Sequence, residues 1–179
     1  QFYCESGQEV FDTILQAYRI SEQMLLPVMV NLEGFILSHT YEGVDVPEQA
    51  EVDRFLPPAP PRECLDVDDP AMFGSTTDFY INFRYKMNQG MEEAKRICVE
   101  IGAEFQKVFG RGYDLVHSYL CEDADLILVT AGTIAGTCRV VADRCRANGL
   151  KVGVLRLRLV RPFPGERICE ILRGCQRIA

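Results

Sequence analysis

The sequence predicts an α/β fold in which helices cover a layered parallel β-sheet. Two apolar runs, 125–130 and 151–160, are rich in Val, Leu and Ile, as buried parallel strands are. A segment with helical spacing of apolar residues follows each run, and small residues at 131–137 connect the first strand to its helix. The order strand–helix–strand–helix–strand, ending at 177–179, indicates right-handed parallel crossovers.

The first 40 residues predict one helix and one strand. Ser6 and Glu9 have the spacing of a capping box, and apolar residues then recur at helical intervals up to Met24. Pro27 cannot continue that helix. Val28–Leu32 is a short apolar run typical of a buried strand, and a loop follows from Gly34.

The middle of the chain predicts a connector between two domains. Pro57-Pro58 and Pro60-Pro61 forbid a helix and disfavour a central strand. We expect residues 1–45 to end one domain, 46–78 to form a Pro-rich connector, and 79–179 to form a second α/β domain. The alternative, a Pro-rich ligand for a signalling domain, is weakened by the shortness of the run 57–61.

Two further elements are expected before the strand at 125–130. Phe79, Ile81, Phe83 and Tyr85 alternate, which predicts a strand over 78–85. An apolar stripe predicts a helix over 87–109, and Gly110 is suited to end it. After the strand at 151–160, a helix is expected over 165–173.

Composition excludes several classes of function. The 179 residues carry a net charge of −7, which argues against a nucleic-acid or anionic membrane partner, and no apolar run reaches the roughly 18 residues of a membrane span. None of the eight cysteines has the spacing of a metal or redox motif, so we expect reduced thiols in the cytoplasm. Because Gln1 is not an initiator, we expect a piece of a longer polypeptide.

The small-residue turn at 132–136 is the one candidate ligand site. Gly132, Thr133 and Gly136 follow a strand and open a helix, where backbone N–H groups can bind a phosphate or coenzyme A. The three-glycine dinucleotide pattern and the Walker pattern are both absent, so a purely structural turn is the alternative. Arg156 and Arg158 share one strand face, which we expect to be solvated or to meet another domain.

The remaining polar residues give no complete catalytic site or metal site. The only histidines, His39 and His117, lack the orienting acid and oxyanion site that a hydrolase needs. No stretch has the spacing of metal ligands.

Several motifs resemble one family along the whole chain. The stretch 27–40, the linker pieces 55–58, 65–66 and 70–74, and the later stretches 109–113, 122–125 and 151–164 resemble α subunits of the pyruvate:ferredoxin oxidoreductase family. One local departure is Thr130-Ala131-Gly132-Thr133, where the family leads us to expect Met-Gly-Ser.

The resemblance implies a layout and a reaction. Residues 1–45 would end the pyrimidine-binding domain of a thiamine-diphosphate fold, and 79–179 would resemble the C-terminal domain of transketolase. The implied enzyme decarboxylates a 2-oxoacid, passes electrons to ferredoxin and forms acyl-CoA. Thiamine diphosphate, magnesium and 4Fe–4S clusters are expected in the whole complex but not in this chain, and no catalytic residue is carried over to it.

The resemblance also implies partners. These would be the β, γ and δ subunits or domains, with ferredoxin and coenzyme A reached through the complex. Six residues are candidates for that interface: Phe11, Leu15, Tyr18, Asn31, Gly34 and His39. Pyruvate is the expected substrate. Branched-chain 2-oxoacids, 2-oxoglutarate, oxalate, aryl-glyoxylates and a stand-alone nucleotide- or CoA-binding module remain alternatives.

Overall fold

A computed structural model of the protein describes residues 1–58, 68 and 79–179. The elements in chain order are β1 (Phe2–Tyr3), α1 (Gly7–Met24), β2 (Val30–Asn31), α2 (Ile36–His39), α3 (Gln49–Phe55), α4 (Tyr80–Phe109), β3 (Val116–Tyr119), β4 (Leu126–Ala131), α5 (Ile134–Ala147), β5 (Val152–Leu157), α6 (Gly165–Leu172) and β6 (Arg177–Ile178). The proline pair at 60–61 and Leu65 lie outside the described residues.

A four-stranded sheet organises the second half of the chain, in the order β3-β5-β4-β6. β5, β4 and β6 are mutually parallel, which confirms the predicted α/β fold with a parallel sheet. β3 was not predicted, and it adds an antiparallel edge next to β5. Its short run contains His117 and Ser118, so no apolar pattern distinguishes it from a loop.

The first part of the chain forms a helix and a two-residue parallel ladder. α1 begins after Ser6 as predicted, the Ser6 side chain accepts a hydrogen bond from the Glu9 amide, and the helix ends at Met24, before Pro27. The predicted strand at 28–32 is reduced to β2, which pairs with β1. β1 was missed because two residues carry no periodicity. The predicted loop after Gly34 contains the short helix α2.

The predicted strand at 78–85 is wrong, because described residues from Tyr80 onward belong to α4. Residues 81–89 are exposed on every side, so the alternation of aromatic side chains does not mark a buried sheet face. No glycine or proline interrupts 80–89, and the helix therefore continues through them. α4 ends at Gly110 in a left-handed conformation (φ 75°), as expected.

The main apolar cluster joins the two halves of the chain. It contains Phe2 and Ile20 from the first part, Phe55 from α3, Phe105 from α4 and Leu159 after β5. The rings of Phe55 and Phe105 meet edge to face, with centroids 5.2 Å apart. The connector thus contributes a core residue, Phe55, and the two halves of the chain share one apolar core.

Two smaller observations complete the fold. The seven cysteines in the described part of the chain are all free thiols. No helix among the described residues has the length and apolar character needed to cross a membrane.

Gly102 lets α4 lie unusually close to the segment before β3. A Cβ atom at this position would fall inside the contact distance of the Tyr113 carbonyl oxygen. We predict that Gly102→Ala lowers the free energy of unfolding by about 2 kcal/mol, since backbone must move to accommodate the methyl group. Gly90→Ala, in the same helix, meets only the Leu26 side chain at 3.5 Å and should stabilise by up to about 1 kcal/mol. Urea denaturation compares the two variants, and equal effects would contradict this packing.

Candidate functional site

The carboxyl ends of β4 and β5 lie at one edge of the sheet, where open α/β sheets usually bind ligands. In this protein the first segment of the chain covers that edge. The Tyr3 amide donates to the Arg158 carbonyl at 2.8 Å, and Phe2 forms an isolated antiparallel bridge with Leu159. The edge is therefore occupied by the chain itself.

Two arginines, Arg156 in β5 and Arg158 just after it, are buried beneath the first segment of the chain. Arg156 is 3% exposed and Arg158 is 2% exposed. The expectation of a solvated face is wrong, because this face lies against α1; that α1 belongs to another domain stays a prediction. A buried guanidinium requires partners, because desolvating an unpaired charge is very unfavourable.

The carboxylate of Glu9 on α1 pairs with both arginines. Its Oε2 accepts from Arg156 Nη1 at 2.8 Å, and its Oε1 accepts from Arg158 Nε at 3.0 Å. Arg158 Nη2 also donates to Thr13 Oγ1 at 3.0 Å and to Gln16 Oε1 at 3.3 Å. Burial lowers the pKa of the Arg158 guanidinium, and the Glu9 carboxylate opposes that shift.

A second carboxylate on the same helix binds the loop before β3. Asp12, which is fully buried, accepts from Arg111 Nε at 2.6 Å and from Arg111 Nη2 at 2.9 Å. The Tyr113 hydroxyl donates to Asp12 Oδ2 at 2.7 Å. Burial and this hydrogen bond raise the pKa of Tyr113, and the hydrogen bond to Asp12 raises the pKa of Arg111.

These contacts turn the polar side of α1 toward the sheet. The helix buries mostly polar side chains: Glu9, Asp12, Thr13, Gln16, Ala17 and Ile20. Ile14 is 42% exposed and Tyr18 is 60% exposed on its outer side. The sequence signals that could have shown this are the match of the Arg156–Arg158 pair to Glu9 and of Arg111 to Asp12, since buried charges of one sign require the other.

The predicted turn residues Gly132, Thr133 and Gly136 lie next to the first segment of the chain. Gly132 has a left-handed conformation (φ 70°), and Thr133 Oγ1 donates to Glu33 Oε1 at 2.5 Å. Gly136 lies beside Arg139, whose Nη1 is 2.9 Å from Glu5 Oε2. The carboxylates of Glu5 and Glu33 thus lie beside the turn. A bound phosphate would compete with them for Arg139 and Thr133.

The buried thiols of Cys4 and Cys98 are not activated as nucleophiles. Burial raises the pKa of the Cys4 thiol to about 11, and the Glu9 charge adds to the effect. Burial likewise raises the pKa of Cys98 to about 11. Partial burial and the charge of Arg156 lower the pKa of His117. Both thiols therefore stay protonated near neutral pH, and the imidazole is predominantly neutral.

The six candidate interface residues do not form one cluster. Leu15 packs against the main apolar cluster, and the Asn31 side chain donates to the Phe2 carbonyl at 2.9 Å. Tyr18 and His39 are exposed, and the His39 ring stacks on Phe35 at 5.7 Å between centroids. Phe11 is half-buried and Gly34 is exposed. Their role in an interface stays a prediction.

Sequence comparison identifies the family. Residues 1–102 match the family described as pyruvate flavodoxin/ferredoxin oxidoreductase, thiamine diphosphate-binding, and residues 124–179 match pyruvate:ferredoxin oxidoreductase core domain II. The chain belongs to the pyruvate:ferredoxin oxidoreductase family. The first match extends into α4, and the domain boundaries at 45 and 79 stay predictions.

Relatives in this family are similar over the whole chain. Pyruvate synthase subunit PorA of Methanothermobacter thermautotrophicus is 46% identical over 100% of this chain and 48% of its own length. PorA of Pyrococcus furiosus is 42% identical over 100% of this chain and 46% of its own length. Ketoisovalerate oxidoreductase subunit VorA of Pyrococcus horikoshii is 41% identical with the same coverage. The chain spans about half the length of these oxidoreductase subunits.

The described residues contain no cluster of side chains that would ligate a metal ion. Within ranges 1–58 and 79–179, no group of three or more His, Cys, Asp or Glu side chains could hold a metal ion. The buried carboxylates Glu9 and Asp12 are already bound to arginines. We derive no chemical step through the cofactor on this chain.

Glu9 holds α1 against the strand that carries Arg156, and replacing its carboxylate by an amide tests that role. We predict that Glu9→Gln lowers the free energy of unfolding by about 3–5 kcal/mol, because the buried Arg158 loses its carboxylate partner and the buried Arg156 keeps only Glu5, at 3.5 Å. Glu104→Gln removes an ion pair with Arg19 that is partly exposed and should cost less than about 1 kcal/mol. Chemical denaturation measures both variants. A Glu9→Gln effect as small as that of Glu104→Gln would contradict the network's importance.

Proposed function

We propose that this chain is part of the α subunit of a 2-oxoacid:ferredoxin oxidoreductase whose substrate is pyruvate. The observation that carries the proposal is the 46% identity to a pyruvate synthase subunit over the entire chain. The enzyme would oxidise and decarboxylate pyruvate, transfer the acetyl group to coenzyme A and reduce ferredoxin, or run in the synthetic direction. Both family matches support this class of reaction.

The role proposed for this chain is architectural. Glu9 links the segment from the thiamine-binding family match to the segment from the core domain II match through Arg156 and Arg158, and Asp12 binds Arg111 between the two matches. Such a link would hold one domain in a fixed orientation over the carboxyl edge of the other domain's sheet. We assign no catalytic residue here and expect the isolated 179-residue chain to be inactive.

The rest of the proposed complex supplies the chemistry. Thiamine diphosphate is supported by the name of the first family match, and the relatives are named as subunits. Magnesium, 4Fe–4S clusters, the β, γ and δ components and a cytoplasmic location belong to the proposal. The contact of Thr133 with Glu33 disfavours the alternative of a stand-alone CoA-binding module at the 132–136 turn.

A second substrate has specific support. Ketoisovalerate oxidoreductase subunits are 40–41% identical to the chain, close to several pyruvate synthase subunits at 40–42%. A branched-chain 2-oxoacid is therefore the competing substrate.

Substrate-dependent electron transfer by the assembled complex tests the proposal. The complex that contains this chain is purified without oxygen, and reduction of methyl viologen is followed with pyruvate or ketoisovalerate, with and without coenzyme A. We expect CoA-dependent reduction with kcat/KM for pyruvate at least about tenfold above that for ketoisovalerate, which corresponds to about 1.4 kcal/mol of discrimination. A preference for ketoisovalerate would transfer the proposal to the branched-chain enzyme, and no 2-oxoacid-dependent reduction would refute it.

A further inference from the structure

A groove lies between the C-terminal end of α1 and the N-terminal half of α4, away from the Glu9 network. Its volume is about 540 Å³, within the range of specific binding sites. Four of the protein's five methionines line it: Met24, Met29, Met87 and Met91. Methionine side chains are flexible and polarisable, and they are enriched in surfaces that accept apolar helices.

One wall of the groove is a regular helix face. Arg84, Met87, Asn88 and Met91 all line it, and their spacing of three, four and seven residues places them along one side of α4. The apolar surface continues beyond the groove, because Phe83 lies one turn before Met87 and is 46% exposed. A molecule that covers this length of helix must itself be long, and a small molecule is too short to do so.

The charged side chains that line the groove among the described residues are all basic. Arg84 and Arg161 line it, and no Asp or Glu lines it among the residues that the structure describes. Arg84 Nε donates to the Tyr80 hydroxyl at 2.7 Å, and neither guanidinium forms an ion pair with a carboxylate in the described part of the chain. In a protein with a net charge of −7, an apolar groove whose two arginines pair with none of the described carboxylates is complementary to an acidic apolar partner.

We propose that the methionine-lined groove between α1 and α4 binds an amphipathic, acidic helix of a partner polypeptide. Apolar side chains repeating at three and four positions would enter between the methionines. Carboxylates on the flank of that helix would pair with Arg84 and Arg161.

Binding of defined peptides tests the groove. The probe is a fluorescein-labelled peptide of about 15 residues, long enough to be partly helical, with leucines at helical spacing and glutamates on both flanks. A second peptide carries lysines in place of the glutamates. Fluorescence anisotropy with the 179-residue chain should show saturable binding of the glutamate peptide, and binding of the lysine peptide should be about tenfold weaker.

Variants with surface substitutions locate the binding. The double variant Arg84→Glu/Arg161→Glu should reverse the preference between the peptides, whereas Arg173→Glu, at an exposed arginine elsewhere, should leave it unchanged. Met87→Lys should abolish binding, and Val140→Lys, at a similarly exposed apolar position on α5, should not. Circular dichroism checks that each variant is folded.

Three results would overturn the proposal. The first is the absence of saturable binding by either peptide. The second is binding of both peptides that is unaffected by the Arg84, Arg161 and Met87 substitutions. The third is binding of dodecanoate in the groove without binding of the glutamate peptide, which would make the groove a site for a small amphiphile.

Discussion

Sharing of the buried Glu9 carboxylate between Arg156 and Arg158 is the interaction on which the rest of the structure depends. A β-strand that buries two guanidinium groups is stable only if another element brings a counter-charge to the same face. α1 brings it, together with Thr13 and Gln16, which complete the hydrogen bonds of Arg158. The orientation of α1 and the covering of the sheet edge follow from this requirement.

The same constraint explains which surfaces are left exposed. Because α1 turns its polar side inward, Ile14 and Tyr18 face outward. The Gly132–Gly136 turn lies at the edge that this first segment covers, with Thr133 bound to Glu33 rather than open to solvent. In this family member, the usual ligand position of an α/β sheet is thus occupied by intrachain contacts, and the accessible apolar groove lies elsewhere, between α1 and α4.

The sequence predicts local structure well where each element carries its own period or its own cap. The β4–α5–β5 unit, the Ser6 cap of α1 and the end of α4 at Gly110 all follow from patterns within a few residues. The elements that were missed depend on distant partners. β1 and β3 are short strands recognisable only through pairing with β2 and β5, and Tyr80–Tyr85 alternates like a strand although it is helical. The buried face of α1 was not predicted, because apolar periodicity within the helix carries no information about arginines that lie about 145 residues further along the chain.

Native-state hydrogen exchange tests most directly whether the Glu9 network joins the two family segments into one cooperative body. The protein should show amides of α1, such as those of Thr13 and Gln16, exchanging with an opening free energy within about 1 kcal/mol of the β5 amides of Leu155 and Arg156. Neutralising Glu9 should lower both sets together. Fast exchange across α1 while β5 remains fully protected would show that α1 opens by itself, and it would contradict the central role of the shared carboxylate.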